Sequence, residues 1–123
     1  MRQKAEEISL ASALPTFSFP PSAFRFQTSP PLLLVPAAIE PWKNQVFFLK
    51  AIDSVAEDIP IQILFVGADR GGAYSDIFHR MVAERPWCRY GGMLGTGELM
   101  QEMLSATMLV LPSIEENCPM VIL

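Results

Sequence analysis

From Leu32 onward, short apolar runs alternate with longer amphipathic segments, and this alternation constrains the fold more than any other feature. The apolar runs cover residues 32–35, 61–66, 87–90 and 108–111. Continuous apolar runs this short are typical of strands that are buried on both faces of a parallel sheet. The segments between them repeat their apolar residues at helical spacing and cover residues 45–57, 73–84 and 98–106. The pattern predicts an α/β fold: an incomplete Rossmann-like parallel sheet of about four strands with helices on both faces.

Each predicted helix has one apolar stripe that should face the sheet. The inward residues are Phe48, Leu49, Ile52, Val55 and Ala56 in the first helix, Tyr74, Ile77, Phe78, Met81 and Val82 in the second, and Leu99, Met103 and Leu104 in the third. Thr96 is the predicted N-cap of the third helix. His79 lies off its stripe, and we predict a surface residue rather than a catalytic one.

The length and composition fit one small domain. The chain has 123 residues, of which 50% are hydrophobic and 18% are charged, and its formal net charge is −4. No cluster of Lys and Arg exists to neutralise the phosphates of a duplex, which argues against a nucleic-acid surface. A small phosphorylated ligand is still compatible with this charge, because it needs only one or two cations and some backbone amides.

Residues 1–31 differ from the rest of the chain, because they are rich in proline and phenylalanine. Each proline removes a backbone donor and restricts the residue before it. We predict a poorly ordered leader or linker, with a proline-rich recognition arm as the alternative. Residues 32–123 form the second predicted unit, a partial Rossmann-like domain.

Cysteine and histidine are too few for a metal site of the Cys/His type, and no metal is expected. The candidates are Cys88, Cys118 and His79. One disulfide could form in principle, but reduced thiols in a cytoplasmic protein are the better prediction, since a chain this apolar needs no covalent staple. No apolar run approaches the roughly 20 residues of a membrane span, and early glutamates argue against a signal peptide.

Two strand-to-helix connections carry residues with useful chemistry. Ligands of open α/β sheets bind outside the carboxyl ends of the strands. Lys43 follows the first predicted strand, and Glu116 lies in an acidic loop after the fourth. Pro119 suits the first position of a helix, whose N–H groups could meet a phosphate. A solvated lysine and ordinary surface acids are the alternative interpretations.

The glycine-bearing loop at residues 67–72 has the sequence G-A-D-R-G-G. It invites a dinucleotide-binding interpretation, but its spacing departs from G-x-G-x-x-G. We predict a flexible turn there. Because no predicted strand is followed by G-x-G-x-x-G, half of a dehydrogenase is a weak alternative.

Several segments resemble, in order, the C-terminal domain of the group 1 (family-4) glycosyltransferases, which have the GT-B fold. They are P-W-K-N-Q at 41–45, L-F-V-G at 64–67, R-Y-G-G at 89–92, and E-L-M-Q-E-M-L-S-A-T-M-L-V-L-P-S at 98–113 followed by E-N-C-P-M-V-I-L. The final segment has the spacing of the family's signature of two glutamates separated by seven residues. The resemblance implies half of a GT-B C-terminal domain that binds a nucleoside diphosphate sugar. It also implies retaining transfer of a hexose to an acceptor hydroxyl.

The resemblance also implies roles for individual residues. Glu116 matches the first glutamate of the signature, which lies against the donor sugar and is the catalytic candidate. Lys43 matches the lysine that helps to neutralise the diphosphate. The other implied donor-binding residues are Gly91, Gly92 and Met93 near the base, and Asn117, Cys118, Pro119 and Met120, whose backbone amides face the sugar and diphosphate. The nucleotide sugar is the donor substrate, and neither a metal nor another cofactor is expected.

The chain also departs from the family pattern. Ala38 replaces an arginine five residues before the lysine, and this loss should weaken diphosphate binding. The chain stops at Leu123, just before the second glutamate, and it lacks the N-terminal domain that supplies the acceptor site and the catalytic base. We therefore expect a truncated fragment without transferase activity of its own.

The alternative function is a non-enzymatic truncated α/β module that associates with a partner. Self-association through the unfinished sheet is one form of it, because an open strand edge and an apolar helix start both invite contacts. The acceptor is unspecified. The full-length family could make peripheral membrane contact.

Overall fold

The computed structural model describes residues 29–114. This part of the chain forms four strands, three helices and one short 3-10 turn. In chain order they are β1 (Leu32–Pro36), the 3-10 turn (Pro41–Lys43), α1 (Gln45–Asp58), β2 (Gln62–Val66), α2 (Ala73–Ala83), β3 (Cys88–Tyr90), α3 (Thr96–Ser105) and β4 (Met108–Leu109). The predicted α/β fold is confirmed, and the predicted boundaries shift by only one or two residues.

The four strands form one parallel sheet in the order β3-β2-β1-β4. Leu34 in the middle of β1 lies opposite Leu64 of β2 on one side and Leu109 of β4 on the other. The chain therefore adds β2 and β3 on one side of β1 and then returns to place β4 on the other side. This reversal creates a topological switch point, and open α/β sheets bind ligands at the carboxyl ends of the strands there.

Helices cover both faces of the sheet, as the mostly apolar strands predict. Alternate residues of a strand point to opposite faces. The face under α1 and α2 holds the larger core, formed by Leu33, Val35, Leu49, Ile63, Phe65, Phe78 and Met81 with their neighbours. The face under α3 holds a smaller core of Leu34, Leu64 and Val66. At the centre of the larger core, the rings of Phe65 and Phe78 meet edge to face with their centroids 5.0 Å apart.

The third helix is less buried than its apolar stripe predicts. Leu99 and Met103 pack against the smaller core, but the side chain of Leu104 is 79% exposed. The prediction that Leu104 faces the core is wrong, because this residue lies near the C-terminal end of a helix that covers only part of the sheet. Val55 and Ile77, at the margins of the other two stripes, are also exposed.

The start of α3 is also different from the prediction. Gly95 is the N-cap, and Thr96 is the first helical residue rather than the cap. The Gly95 N–H donates to the Glu98 carboxylate at 3.1 Å. This bond is half of a capping box, in which the glutamate at the third helical position reaches back to the cap.

A charged contact joins the two helices of the larger core. Arg85, just after α2, donates through Nε and Nη2 to the two carboxylate oxygens of Asp53 in α1, each at 2.7 Å. Arg85 Nη1 also donates to the Met81 carbonyl at 2.8 Å. The hydrogen bond from Arg85 lowers the pKa of Asp53 and fixes the orientation of the two helices relative to each other.

Within residues 29–114, no helix is both long enough and apolar enough to cross a membrane.

Candidate functional site

A cleft of about 240 Å³ opens at the carboxyl edge of the sheet, on the face that α3 covers. Its lining residues come from the ends of β1 and β2, the loops that follow β1, β2 and β3, and the first turns of α3. They are Pro36, Ala37, Ala38, Val66, Gly67, Ala68, Met93, Leu94 and Leu99. All nine have uncharged side chains, and most of the exposed lining is carbon.

Backbone hydrogen bonds join the loops that form the cleft. The Ala37 N–H donates to the Val66 carbonyl at 2.8 Å, and the Gly67 N–H donates to the Gly92 carbonyl at 2.9 Å. Gly67 has a φ of +149°, and a Cβ atom there would lie 2.1 Å from the Ala37 carbonyl oxygen. Only glycine lets the two loops approach this closely.

A buried glutamine supports the loop after β1 from below. The Gln45 side chain, which is fully buried, donates to the Ala38 carbonyl at 2.7 Å. The Tyr74 hydroxyl donates to Gln45 Oε1 at 3.3 Å and accepts from the Val46 N–H at 3.0 Å. Gln45 closes the P-W-K-N-Q segment, but sequence reasoning gave it no role, because its partner Tyr74 is distant in the chain.

Lys43 lies at the end of the 3-10 turn, at the same edge of the sheet, but it does not line the cleft. The next residue, Asn44, has a φ of 67°, a left-handed conformation that asparagine tolerates. Its Nδ2 donates to the Pro112 carbonyl at 3.1 Å, and the Ile114 N–H donates to the Trp42 carbonyl at 2.9 Å. These two bonds hold the turn that carries Lys43 against the loop that leads to Glu116.

The residues predicted to face the base divide into two groups. Met93 lines the cleft and is 76% exposed. Gly91 and Gly92 do not line the cleft, but their backbones join its loops. The Gly91 N–H donates to the Phe65 carbonyl at 2.8 Å, and the Gly92 carbonyl accepts from the Gly67 N–H. The other predicted site residues lie outside the described residues: Glu116, Asn117, Cys118, Pro119 and Met120.

The loop at residues 67–72 is anchored by Asp69, so its interpretation as a flexible turn is corrected. The Asp69 carboxylate accepts from the Gly71 N–H at 2.9 Å and from the Ser75 hydroxyl at 3.0 Å. It also lies 2.6 Å from His79 Nε2. The hydrogen bond with His79 has the largest effect on the pKa of Asp69. Together with the bonds from Gly71 and Ser75, it lowers that pKa to about 2.

The position of His79 off the apolar stripe predicted a surface residue. In the structure its side chain is half-buried, with 40% exposed. Its ring packs against Phe78 and Tyr90, with centroid distances of 5.1 and 5.2 Å. The Tyr90 hydroxyl donates in turn to the Gly67 carbonyl. His79 and Tyr90 therefore connect α2 to the glycine at the wall of the cleft.

No group of three or more His, Cys, Asp or Glu side chains within residues 29–114 could hold a metal ion. Cys88 is buried, and burial raises the pKa of its thiol to about 12. A thiol with such a pKa is not a nucleophile at neutral pH. The described part of the site therefore offers an apolar surface bordered by backbone polar groups, which suits binding better than bond making.

The family model for glycosyl transferases group 1 matches residues 20–123. Comparisons with curated proteins and with solved structures found no match. The matched region includes all four strands and every loop of the cleft, and its Rossmann-like sheet is consistent with half of a GT-B domain. The chain belongs to the group 1 glycosyltransferase family.

Proposed function

We propose that this chain is the donor-binding half of a glycosyltransferase and holds a nucleoside diphosphate sugar at the carboxyl edge of its sheet. The observation that carries the proposal is the cleft at that edge, whose loops all fall within the matched region. The position agrees with the general rule for open α/β sheets, which bind ligands outside the carboxyl ends of their strands.

In this proposal, Glu116 contacts the donor sugar, and the backbone amides of residues 117–120 contact the sugar and diphosphate. Lys43 neutralises charge on the leaving diphosphate, where a nearby cation stabilises the charge that develops in the transition state. The bonds from Asn44 and Ile114 support this assignment, because they hold the Lys43 turn beside the loop that leads to Glu116.

The proposed reaction of the complete enzyme is retaining transfer of a hexose to an acceptor hydroxyl, without a metal ion. All the residues assigned above belong to the donor side of that reaction. We therefore expect the 123-residue chain by itself to bind donors without turning them over. The buried, unpaired thiol of Cys88 supports a reducing, cytoplasmic location.

A variant that fills the cleft tests this proposal. We expect Ala68→Phe to weaken binding of UDP-glucose, ADP-glucose or GDP-mannose by roughly tenfold or more, because the ring would occupy the space that Ala68 leaves open. Ala51→Phe is the matched control, since Ala51 is exposed on α1 and does not line the cleft. Isothermal titration calorimetry on the full chain measures the affinities. Equal binding by the two variants, or no binding by the parent chain, would show that the cleft is not the donor site.

A second candidate function is a non-enzymatic module that associates with a partner. Leu104 and Met108 favour it, since both are large apolar residues more than half exposed near the edge strand β4. Light scattering on the full chain distinguishes this candidate, because a monomer at high concentration would count against self-association.

A further inference from the structure

Three exposed apolar side chains lie near the amino edge of the sheet, on the face that α1 and α2 cover. Val55 in α1, Ile59 just after α1 and Met108 in β4 are 39%, 52% and 56% exposed. Met108 pairs with Leu33, which belongs to the larger core, and paired residues of neighbouring strands point to the same face. We call Val55, Ile59 and Met108 the α1–β4 strip.

The strip is turned away from α2. Arg85, just after α2, contacts Asp53 of α1, and this contact marks the side of α1 that faces α2. A helix advances about 100° per residue, so Val55 lies about 200° around α1 from Asp53. Since α2 packs against β3 at one end of the sheet and β4 forms the other end, Val55 is turned towards β4. The strip therefore belongs to one corner of the sheet.

The chain enters the sheet beside this corner. The Leu32 N–H donates to Thr107 Oγ1 at 3.0 Å, and the Leu32 carbonyl accepts from the Thr107 N–H at 2.8 Å. The Pro31 carbonyl accepts from the Gln62 N–H at 2.9 Å. Thr107 directly precedes Met108. The residues before β1 therefore start from the amino edge, next to a member of the strip.

The segment before β1 has the length and the side chains to cover the strip. Residues 24–26 read F-R-F, and Phe26 is six residues before Leu32. Six residues reach up to about 20 Å, whereas four strands spaced about 4.8 Å apart span only about 14 Å. Both phenylalanines can therefore reach the strip.

The charge of this segment also suits the end of α1. Arg25 is the only charged residue at positions 15–28. The last turn of α1 carries Glu57 and Asp58 and has no basic residue. The helix dipole adds partial negative charge at this end. A cation that the segment brings beside the end of α1 is therefore stabilised there.

Two other occupants fit the strip less well. Residues 115–123 follow Ile114, whose N–H donates to the Trp42 carbonyl at the carboxyl edge, the opposite end of the strands. A second copy of the chain would need a larger surface, because a stable interface uses roughly 20 residues or more from each partner. The strip offers only three apolar side chains.

We infer that Phe24 and Phe26 pack on the α1–β4 strip, so that the segment before β1 covers the exposed corner of its own sheet. Aromatic side chains bury a large apolar area when they pack. The thioether of Met108 also makes favourable contacts with aromatic rings. The inference does not depend on donor binding, because the strip lies at the edge opposite to the cleft.

Methionine oxidation on the full chain tests this inference. Met100 on α3 and Met108 are both 56% exposed, and they form a matched pair. Hydrogen peroxide oxidises both, and peptide mass spectrometry follows each rate. We expect Met108 to be oxidised at least about threefold more slowly than Met100, because the phenyl rings cover its sulfur. Equal rates would overturn the inference.

Variants identify the side chains that protect Met108. Phe24→Ser combined with Phe26→Ser should bring the oxidation rate of Met108 up to that of Met100. Phe24→Leu combined with Phe26→Leu should keep the protection, since leucine is also apolar. Protection that survives the serine pair would overturn the inference and point to residues 115–123. Protection that is lost on dilution would overturn it in favour of a second copy.

Two controls complete the experiment. Phe17→Ser combined with Phe19→Ser makes the same change further from β1 and should leave Met108 protected; a loss of protection equal to that of the first serine pair would contradict the assignment to residues 24–26. Met81, which is buried, should be oxidised slowly in every folded variant. On the parent chain, nuclear Overhauser contacts between the phenyl protons of residues 24–26 and the Met108 methyl group are expected, and their absence would also overturn the inference.

Discussion

Two polar side chains, Gln45 and Asp69, organise the loops around the cleft. Gln45 holds the loop after β1 from below, and Asp69 holds the loop after β2 through three hydrogen bonds. Ala38 is a local partner of Gln45, seven residues earlier in the chain, whereas Tyr74 is brought to it by the packing of α1 against α2. The second contact could not be read from the sequence. Asp69 lies two residues before Gly71, a spacing that permits a local turn bond and was the one signal available.

The charge of Asp69 should matter for stability. We expect Asp69→Asn to lower the free energy of unfolding by about 1 to 2 kcal/mol at pH 7, because bonds to the ionised carboxylate are lost. The pKa in the folded state, about 2, lies below the ordinary value of 3.8 for an aspartate. The ionised group therefore stabilises the fold above about pH 4, and this contribution is lost as the pH falls towards 2.

Urea denaturation of the parent chain and the variant at pH 7 and pH 3 checks this expectation. The difference in the free energy of unfolding between the two proteins should be smaller at pH 3 than at pH 7. Asp58→Asn, at an exposed carboxylate near the end of α1, is the control and should change stability by less than about 0.5 kcal/mol. A difference in the free energy of unfolding that is the same at both pH values would contradict the stabilising role of the ionised Asp69 carboxylate.

The helices and strands follow from the apolar periodicity, but their degree of burial does not. The strands are mostly apolar, with Gln62 and Arg89 as exposed exceptions, because helices cover both faces of the sheet. Mostly apolar strands of this length are typical of a parallel sheet. Leu104 has the spacing of a core residue and is nevertheless exposed. Burial depends on which elements surround a helix, and the sequence of one helix does not contain that information.

The contact between Arg85 and Asp53 should stabilise the packing of α1 against α2. A double-mutant cycle with Asp53→Asn and Arg85→Gln should give a coupling free energy of about 1 kcal/mol. The estimate is modest because the Asp53 side chain is 39% exposed, although the paired geometry is favourable.

Glu84→Gln provides the comparison for this cycle. Glu84 lies 3.6 Å from Arg85, but its side chain is 64% exposed, and its coupling to Arg85 should be near zero. Thermal or urea unfolding of the variants supplies the free energies. A coupling between Asp53 and Arg85 no larger than that of Glu84 would mean that the contact does not join the helices.

At the scale of the whole molecule, the order of the strands decides where a ligand can bind. The sequence indicates that strands and helices alternate, and the resemblance to group 1 glycosyltransferases indicates which loops matter. The return of the chain to place β4 beside β1 becomes visible only in the structure. Met93 was predicted to lie near the base, and it lines the cleft. Ala37, Gly67 and Ala68 also line the cleft, because the strands that precede them, β1 and β2, are neighbours in the sheet.

Membership of the glycosyltransferase family and the position of the cleft together place donor binding at the carboxyl edge in our proposal. Chemical-shift mapping by NMR tests this most directly, with the full chain labelled with ¹⁵N and titrated with UDP-glucose, ADP-glucose and GDP-mannose in turn. We expect the amide signals of Gly67, Ala68, Met93 and Leu94 to shift with at least one donor, while those at the opposite edge, such as Thr107, stay in place. Shifts confined to the opposite edge, or no shifts with any donor, would contradict the central claim.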